Sequence, residues 1–143
     1  MTVKALLSRK GRDVVTIAPH ANLSEAAKLL AERRIGAVVV TGADNRVAGI
    51  LSERDIVRAV GERGPSALED NVAAVMTRKV TTCNETDTVV AIMERMTTGK
   101  FRHVPVVDQG RLIGVISIGD VVKHRVEEIE GETNALREYI ATA

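Results

Sequence analysis

The stretch "GILSERDIV" at residues 49–57 returns as "GVISIGDVV" at residues 114–122. Gly49 then matches Gly114, Ser52 matches Ser117 and Asp55 matches Asp120, each 65 residues later. The likeness extends upstream. "VTIAPHANLSEAAKLLAERRIGAVVV" (15–40) lies over "TTCNETDTVVAIMERMTTGKFRHVPVV" (81–107) at an offset of 66 residues, so one residue is lost in the loop between. A self-similar period of this length marks two copies of one structural unit.

Each copy reads in the same order. A short apolar start (Val14–Ile17; Val80–Cys83) predicts a strand. Leu23, Ala26, Ala27 and Leu30, and then Val89, Ile92, Met93 and Met96, follow the i, i+3, i+4, i+7 stripe of a helix with one buried face. Asn22 with Glu25, and Asn84 with Asp87, read as N-terminal caps. The β-branched runs "AVVV" and "HVPVV", followed by the turn-forming "TGADNR" and "DQG" and by "VAGIL" and "LIGVI", predict a hairpin in each copy. "SERDIVRAV" and "SIGDVVKHRV" close each copy as helices. The expected class is α+β: two β-α-β-β-α repeats, at 7–66 and 72–130, packed about a pseudo-two-fold axis because one copy alone has too little core. "GERGPSALED" (61–70) reads as a linker, and residues 131–143 as a C-terminal helical tail.

Composition narrows the function. Twenty Lys and Arg stand against nineteen Asp and Glu, for a net charge of +1, which argues against a general basic field for nucleic acid. One Phe, one Tyr and no Trp leave little for base stacking. The lone Cys83 pairs with no other cysteine and reads as a buried filler. With no signal peptide in "MTVKALLSRKGRD", it points to a reducing cytoplasm, and no apolar run reaches membrane-spanning length. No His/Cys/Asp cluster has metal-ligand spacing, so no metal is expected.

The repeated Ser-x-x-Asp has a plain structural reading as a capping box at a helix start. It also suits a nucleotide. A helix N-terminus favours phosphate, to which Ser52 and Ser117 would add hydroxyls. Asp55 and Asp120, about 4.5 Å further along the helix axis, suit the vicinal hydroxyls of a ribose. Gly49 and Gly114 leave room there for a ligand or a neighbouring backbone.

The doubled G-h-h-S-x-x-D (h, an apolar residue), the "RHVPVV" strand and the "VMTRKVTTC" lead into copy two together resemble a tandem CBS-domain pair, the Bateman module, over residues 7–130. The resemblance implies a regulatory sensor without catalysis that binds an adenine nucleotide between the repeats: AMP first, with ATP, ADP or NAD as others. It implies Asp55 and Asp120 on ribose, Ser52 and Ser117 on phosphate, and the backbone at Thr16–Ile17 and Thr82–Cys83 on the adenine edge. Ala37 and Val38, and Val104 and Pro105, would wall the purine face. It further implies a homodimer and a downstream protein partner. The copies differ in charge: Arg102 and His103 replace Gly36 and Ala37, and Arg54 replaces Gly119. Arg54, Arg102 and His103 are expected to converge on phosphate, with Lys100 facing solvent. The rival readings are a purely structural dimeriser and a nucleotide-hydrolysing enzyme, for which no activated nucleophile is visible.

Overall fold

The computed structural model describes residues 1–142, and its elements follow the chain in two matching rounds. Helix α1 (Val3–Lys10) leads to β1 (Thr16–Ile17), α2 (Leu23–Arg33), the strands β2 (Ala37–Thr41) and β3 (Val47–Ser52), and α3 (Glu53–Arg63). The second round runs α4 (Val72–Val75), α5 (Val89–Gly99), β4 (His103–Asp108), β5 (Arg111–Ser117) and α6 (Ile118–Thr142). The fold is α+β, two repeats about a pseudo-two-fold axis with a C-terminal helix. Even the irregularities repeat. Both hairpins are antiparallel, and their register shifts at Val40/Thr41 and at Val106/Val107, positions 66 residues apart.

The second repeat departs from the sequence-based expectation at its start. Val80–Cys83 forms no strand; Cys83 alone pairs, in parallel, with Val106. This matches the Ile17–Val40 pair of the first repeat. Cys83 N–H donates to Pro105 O at 3.0 Å, and Val107 N–H donates to Cys83 O at 2.9 Å, so the contact survives as a single bridge. Asn22 caps α2 as expected, accepting from Glu25 N–H at 2.8 Å. Asn84 does not cap α5. Helix α5 begins at Val89, the counterpart of Leu23, so the cap falls to Thr88, which accepts from Ala91 N–H at 3.1 Å. Asp87 instead accepts from Asn84 N–H within the preceding turn.

There are two cores, and each is completed by the leading helix of the other repeat. Leu23, Leu30, Val40 and Leu51 pack with Val72 and Met76 at α4. Ile92, Met96, Val106 and Ile116 pack with Val3, Leu6 and Leu7 of α1. The repeated glycines are explained by this exchange. A Cβ on Gly49 would lie 2.6 Å from the Thr77 carbonyl and 2.7 Å from Met76 Sδ. One on Gly114 would lie 2.9 Å from Leu7 Cδ2. Neighbouring chain, not ligand, takes the room that both glycines leave.

The 61–70 segment is packed: α3 runs to Arg63, a short 3-10 turn covers Pro65–Glu69, and Ala67 is buried in the first core. The hairpin tips also meet, with Arg111 on Asp44 at 2.8 Å and Asn45 Nδ2 donating to Leu112 O at 2.9 Å. Helix α6 is unbroken across residues 130 and 131, so the tail continues the last helix of the second repeat. Ala143 lies outside the described residues.

Candidate functional site

Each repeat carries its Ser and Asp from a return strand into the helix that follows. Ser52 ends β3 and caps α3: its Oγ accepts from Asp55 N–H at 3.3 Å, while Asp55 Oδ2 accepts from Ser52 N–H at 2.9 Å and from Ser52 Oγ at 3.0 Å. Ser117 and Asp120 repeat the arrangement at 3.2, 2.9 and 2.9 Å. The capping box is thus formed twice, and it uses one carboxylate oxygen in each copy. In Asp55 the other oxygen, Oδ1, has Arg58 Nη1 at 3.8 Å.

Two clefts lie where the repeats face each other. The first, of about 440 Å³, gathers Ser52, Arg54 and Asp55 from the first repeat and Lys79, Val80, Thr81, Phe101, Arg102 and His103 from the second. The second, of about 370 Å³, is its counterpart across the axis, lined by Asp13, Val14, Val15, Arg34, Ile35 and Ser117. Gly36, Ala37, Ile50 and His103 border both. Volumes of this size fall in the range of about 300–1,000 Å³ that holds small ligands.

The first cleft therefore brings together Ala37, Ser52, Arg54, Asp55, Arg102 and His103. Lys100, expected in solvent, lines it as well. The second brings together Ala37, Val38, His103 and Ser117. Thr16, Ile17, Thr82, Cys83 and Asp120 line neither cleft; Val14 and Val15, and Val80 and Thr81, lie there instead of the first four, just upstream, and Asp120 sits behind Ser117 and Lys10, which do line the second. Val104 and Pro105 are buried, Val104 within the second core. The sequence reading missed Lys79, Phe101 and Lys10. The first two follow from the 66-residue offset once Asp13 and Ile35 are seen on the opposite cleft, whereas Lys10 carried no local signal.

Charge separates the clefts. In the second, Lys10 Nζ at the end of α1 bonds Asp120 and donates to Val115 O at 2.6 Å. Burial pushes the Asp120 carboxyl upward, but hydrogen bonds from Lys10 and Ser117 and the Lys10 charge outweigh it, so its pKa lies below the ordinary value. Burial, then Lys10, hold the His103 imidazole below its ordinary pKa against the opposing pull of Asp120. Burial, then Asp87, push the Cys83 thiol up to about 11, so it offers no thiolate at neutral pH. Among the described residues no group of three or more His, Cys, Asp or Glu could hold a metal ion, and no helix is long and apolar enough to cross a membrane.

Comparison with known proteins agrees with this geometry. The family profile described as the CBS domain matches residues 3–62 and 72–127. The crystal structure of the CBS-domain containing protein ATU1752 from Agrobacterium tumefaciens is 54% identical, with a TM-score of 0.83, covering 87% of this chain and 99% of that one. The CBS domain protein PAE2072 from Pyrobaculum aerophilum, complexed with AMP, is 35% identical with a TM-score of 0.75, over 84% of this chain and 89% of that one. The mitochondrial CBS domain-containing protein CBSX3 of Arabidopsis thaliana is 36% identical over 120 residues, 81% of this chain. The chain spans 58% of that curated relative's length.

Proposed function

The chain belongs to the CBS-domain family, and from that premise we propose that it is a regulatory module that binds an adenine nucleotide, AMP first among them, between its two repeats. The observation that carries this reading is the composition of the first cleft. Asp55, at the start of α3, keeps one oxygen outside the capping box for a ribose diol. Arg54, Arg102 and His103 border the same space and suit a phosphate. Ile50, Val80 and Phe101 offer apolar contact to a purine, whose edge meets the open backbone at Val80–Thr81. An adenine compound fits this donor set, and the AMP complex of a 35% identical relative supports it. ATP, ADP and NAD are the other ligands in the same class, the cationic rim accepting a longer phosphate chain.

The module signals without chemistry of its own. Its only thiol is buried and protonated, and the hydroxyls of Ser52 and Ser117 are tied up in capping boxes. Filling a cleft between two repeats favours one relative setting of them, and a protein partner that prefers that setting senses the ligand. The working form is a homodimer in the cytoplasm.

Thermal unfolding with AMP, ATP, NAD and GMP tests the reading. AMP at about 100 times its Kd is expected to add about 2.7 kcal/mol of stability, with GMP giving less. No stabilisation by any adenine compound would leave a structural dimeriser; release of a hydrolysis product would make it an enzyme.

A further inference from the structure

We propose that the outer part of α6 pairs in parallel, in register, with α6 of a second copy, as a two-stranded coiled coil. The proposal rests on the homodimer named above and assigns its surface. Helix α6 is 25 residues long, about 37 Å, yet its buried contact with the repeats is confined to its first turns, where Val121 is packed in the second core. Beyond that, Val122, Val126, Ile129, Leu136 and Ile140 are exposed large apolar residues, between 46% and 66% accessible. Their spacing of four, three, seven and four residues, with Thr133 filling the seven-residue gap, is an unbroken heptad stripe. A 3.5-residue repeat on a helix that leaves its own domain suits a seam with another helix.

The stripe assigns Val126, Thr133 and Ile140 to the a positions and Val122, Ile129 and Leu136 to the d positions. Of the d residues only Leu136 matches the β-branched-a, Leu-d pattern that favours two parallel strands, so the number and direction of strands rest on the flanking charges. The flanking charges choose the partner. In a parallel pair each g residue faces the next e residue of the other helix. Arg125 (g) then meets Glu130 (e) of the second copy, and Glu132 (g) meets Arg137 (e). Both pairings are of opposite sign, and two-fold symmetry makes four. An antiparallel pair, which sets e against e and g against g, can place Glu130 or Glu132 against its own copy. Among the described residues, Glu130, Glu132 and Arg137 have no ion pair, and Arg125 has only the exposed Glu128 on its own helix, at 2.7 Å. Gly131 falls at f, on the outer side. The chain therefore presents a seam whose self-complement is another copy of itself.

Sedimentation equilibrium of the full chain reads this directly. Wild type is expected to be dimeric. Replacing Ile129 and Leu136 together by Asp is expected to make it monomeric while thermal unfolding of the repeats stays cooperative, because neither residue lies in a core. Arg125→Glu is expected to weaken the dimer about tenfold or more, and the exchange Arg125→Glu with Glu130→Arg to restore it, as only the parallel register requires. A disulfide between two copies of Thr133→Cys, formed under mild oxidation, would also agree. A monomeric wild type would overturn this seam and the homodimer together. A dimer that survives the Asp pair, or a charge exchange that fails to restore affinity, would overturn the seam alone.

Discussion

Lys10, at the C-terminal end of α1, bonds Asp120, at the start of α6, across 110 residues of sequence. The same ammonium reaches the Val115 carbonyl. In the other half the counterpart carbonyl, of Ile50, accepts from the Thr77 backbone N–H at 2.9 Å, and Asp55 has a cation only at 3.8 Å. The two clefts, alike by descent of sequence, are therefore unlike in charge. Asp55 lines the first cleft, where a sugar diol could reach it, while Asp120 is paired with Lys10 and lines neither cleft.

Replacing Lys10 by Met should release Asp120. Its folded pKa lies below the ordinary value, so the interaction contributes stability above about pH 3.9, the unfolded value, and that contribution is lost as pH falls through the folded pKa. The variant should lose about 1 kcal/mol at neutral pH and converge on wild type in acid. Carboxyl NMR titration checks the cause: the Asp120 midpoint should move upward. A midpoint that stays put would mean that Ser117, not Lys10, holds it down.

The repeated glycines should not tolerate alanine equally. At Gly49 the new methyl meets a backbone carbonyl, Thr77 O, which cannot move without parting β3 from its neighbour. At Gly114 it meets only the end of the Leu7 side chain. Gly49→Ala is expected to cost about 1–3 kcal/mol in urea unfolding, and Gly114→Ala less. The reverse ranking would contradict the packing of the exchanged leading helices.

His103 borders both clefts and provides a pH probe of the ligand. Its folded pKa is depressed, so the neutral form contributes stability above about pH 6.5, and that contribution is lost as pH falls toward the folded value. A bound phosphate would offset the Lys10 and Arg102 charges beside it. NMR titration should therefore find a low midpoint in the free protein and a higher one with AMP. An unchanged midpoint at saturation would place the phosphate elsewhere.

Gly131 sits within α6 with nothing within 4 Å of the position a Cβ would take. Gly131→Ala should raise helix content and stabilise the outer helix by about 0.5–1 kcal/mol, measured by circular dichroism through thermal unfolding. No gain in helicity would argue that this part of α6 is held by something other than its own propensity.

Much of this fold is legible in the sequence because its signals are local or repeated. The stripes of α2 and α5, the hairpins and the Asn22 cap each sit within a few residues of their cause, and the 66-residue offset carries one copy's reading to the other. What escapes is non-local. Nothing near Leu7 says that it completes the second core, and nothing near Lys10 names Asp120. The cap of α5 shows how the offset could have been used further, since Thr88 is the counterpart of Asn22 while Asn84 only resembles a cap in type. The cleft lining illustrates a finer loss. Thr16 and Thr82 have the chemistry that draws the eye, but Cys83 turns into the core beside Val106, and the chain reaches the cleft one turn of its path earlier, at Val80 and Thr81. The continuity of α6 past Gly131 was hidden by a residue that usually ends helices, whereas the heptad on either side of it was there to be counted.

Calorimetric titration of AMP into wild type, Asp55→Asn and Asp120→Asn asks whether the first cleft holds the nucleotide through Asp55. Wild type is expected to bind saturably, and Asp55→Asn to lose about tenfold or more, about 1.4 kcal/mol, as expected for a carboxylate accepting from a diol. Asp120→Asn should change binding in the first cleft little, since Asp120 does not line it. Undiminished AMP affinity in Asp55→Asn would contradict the assignment of the first cleft.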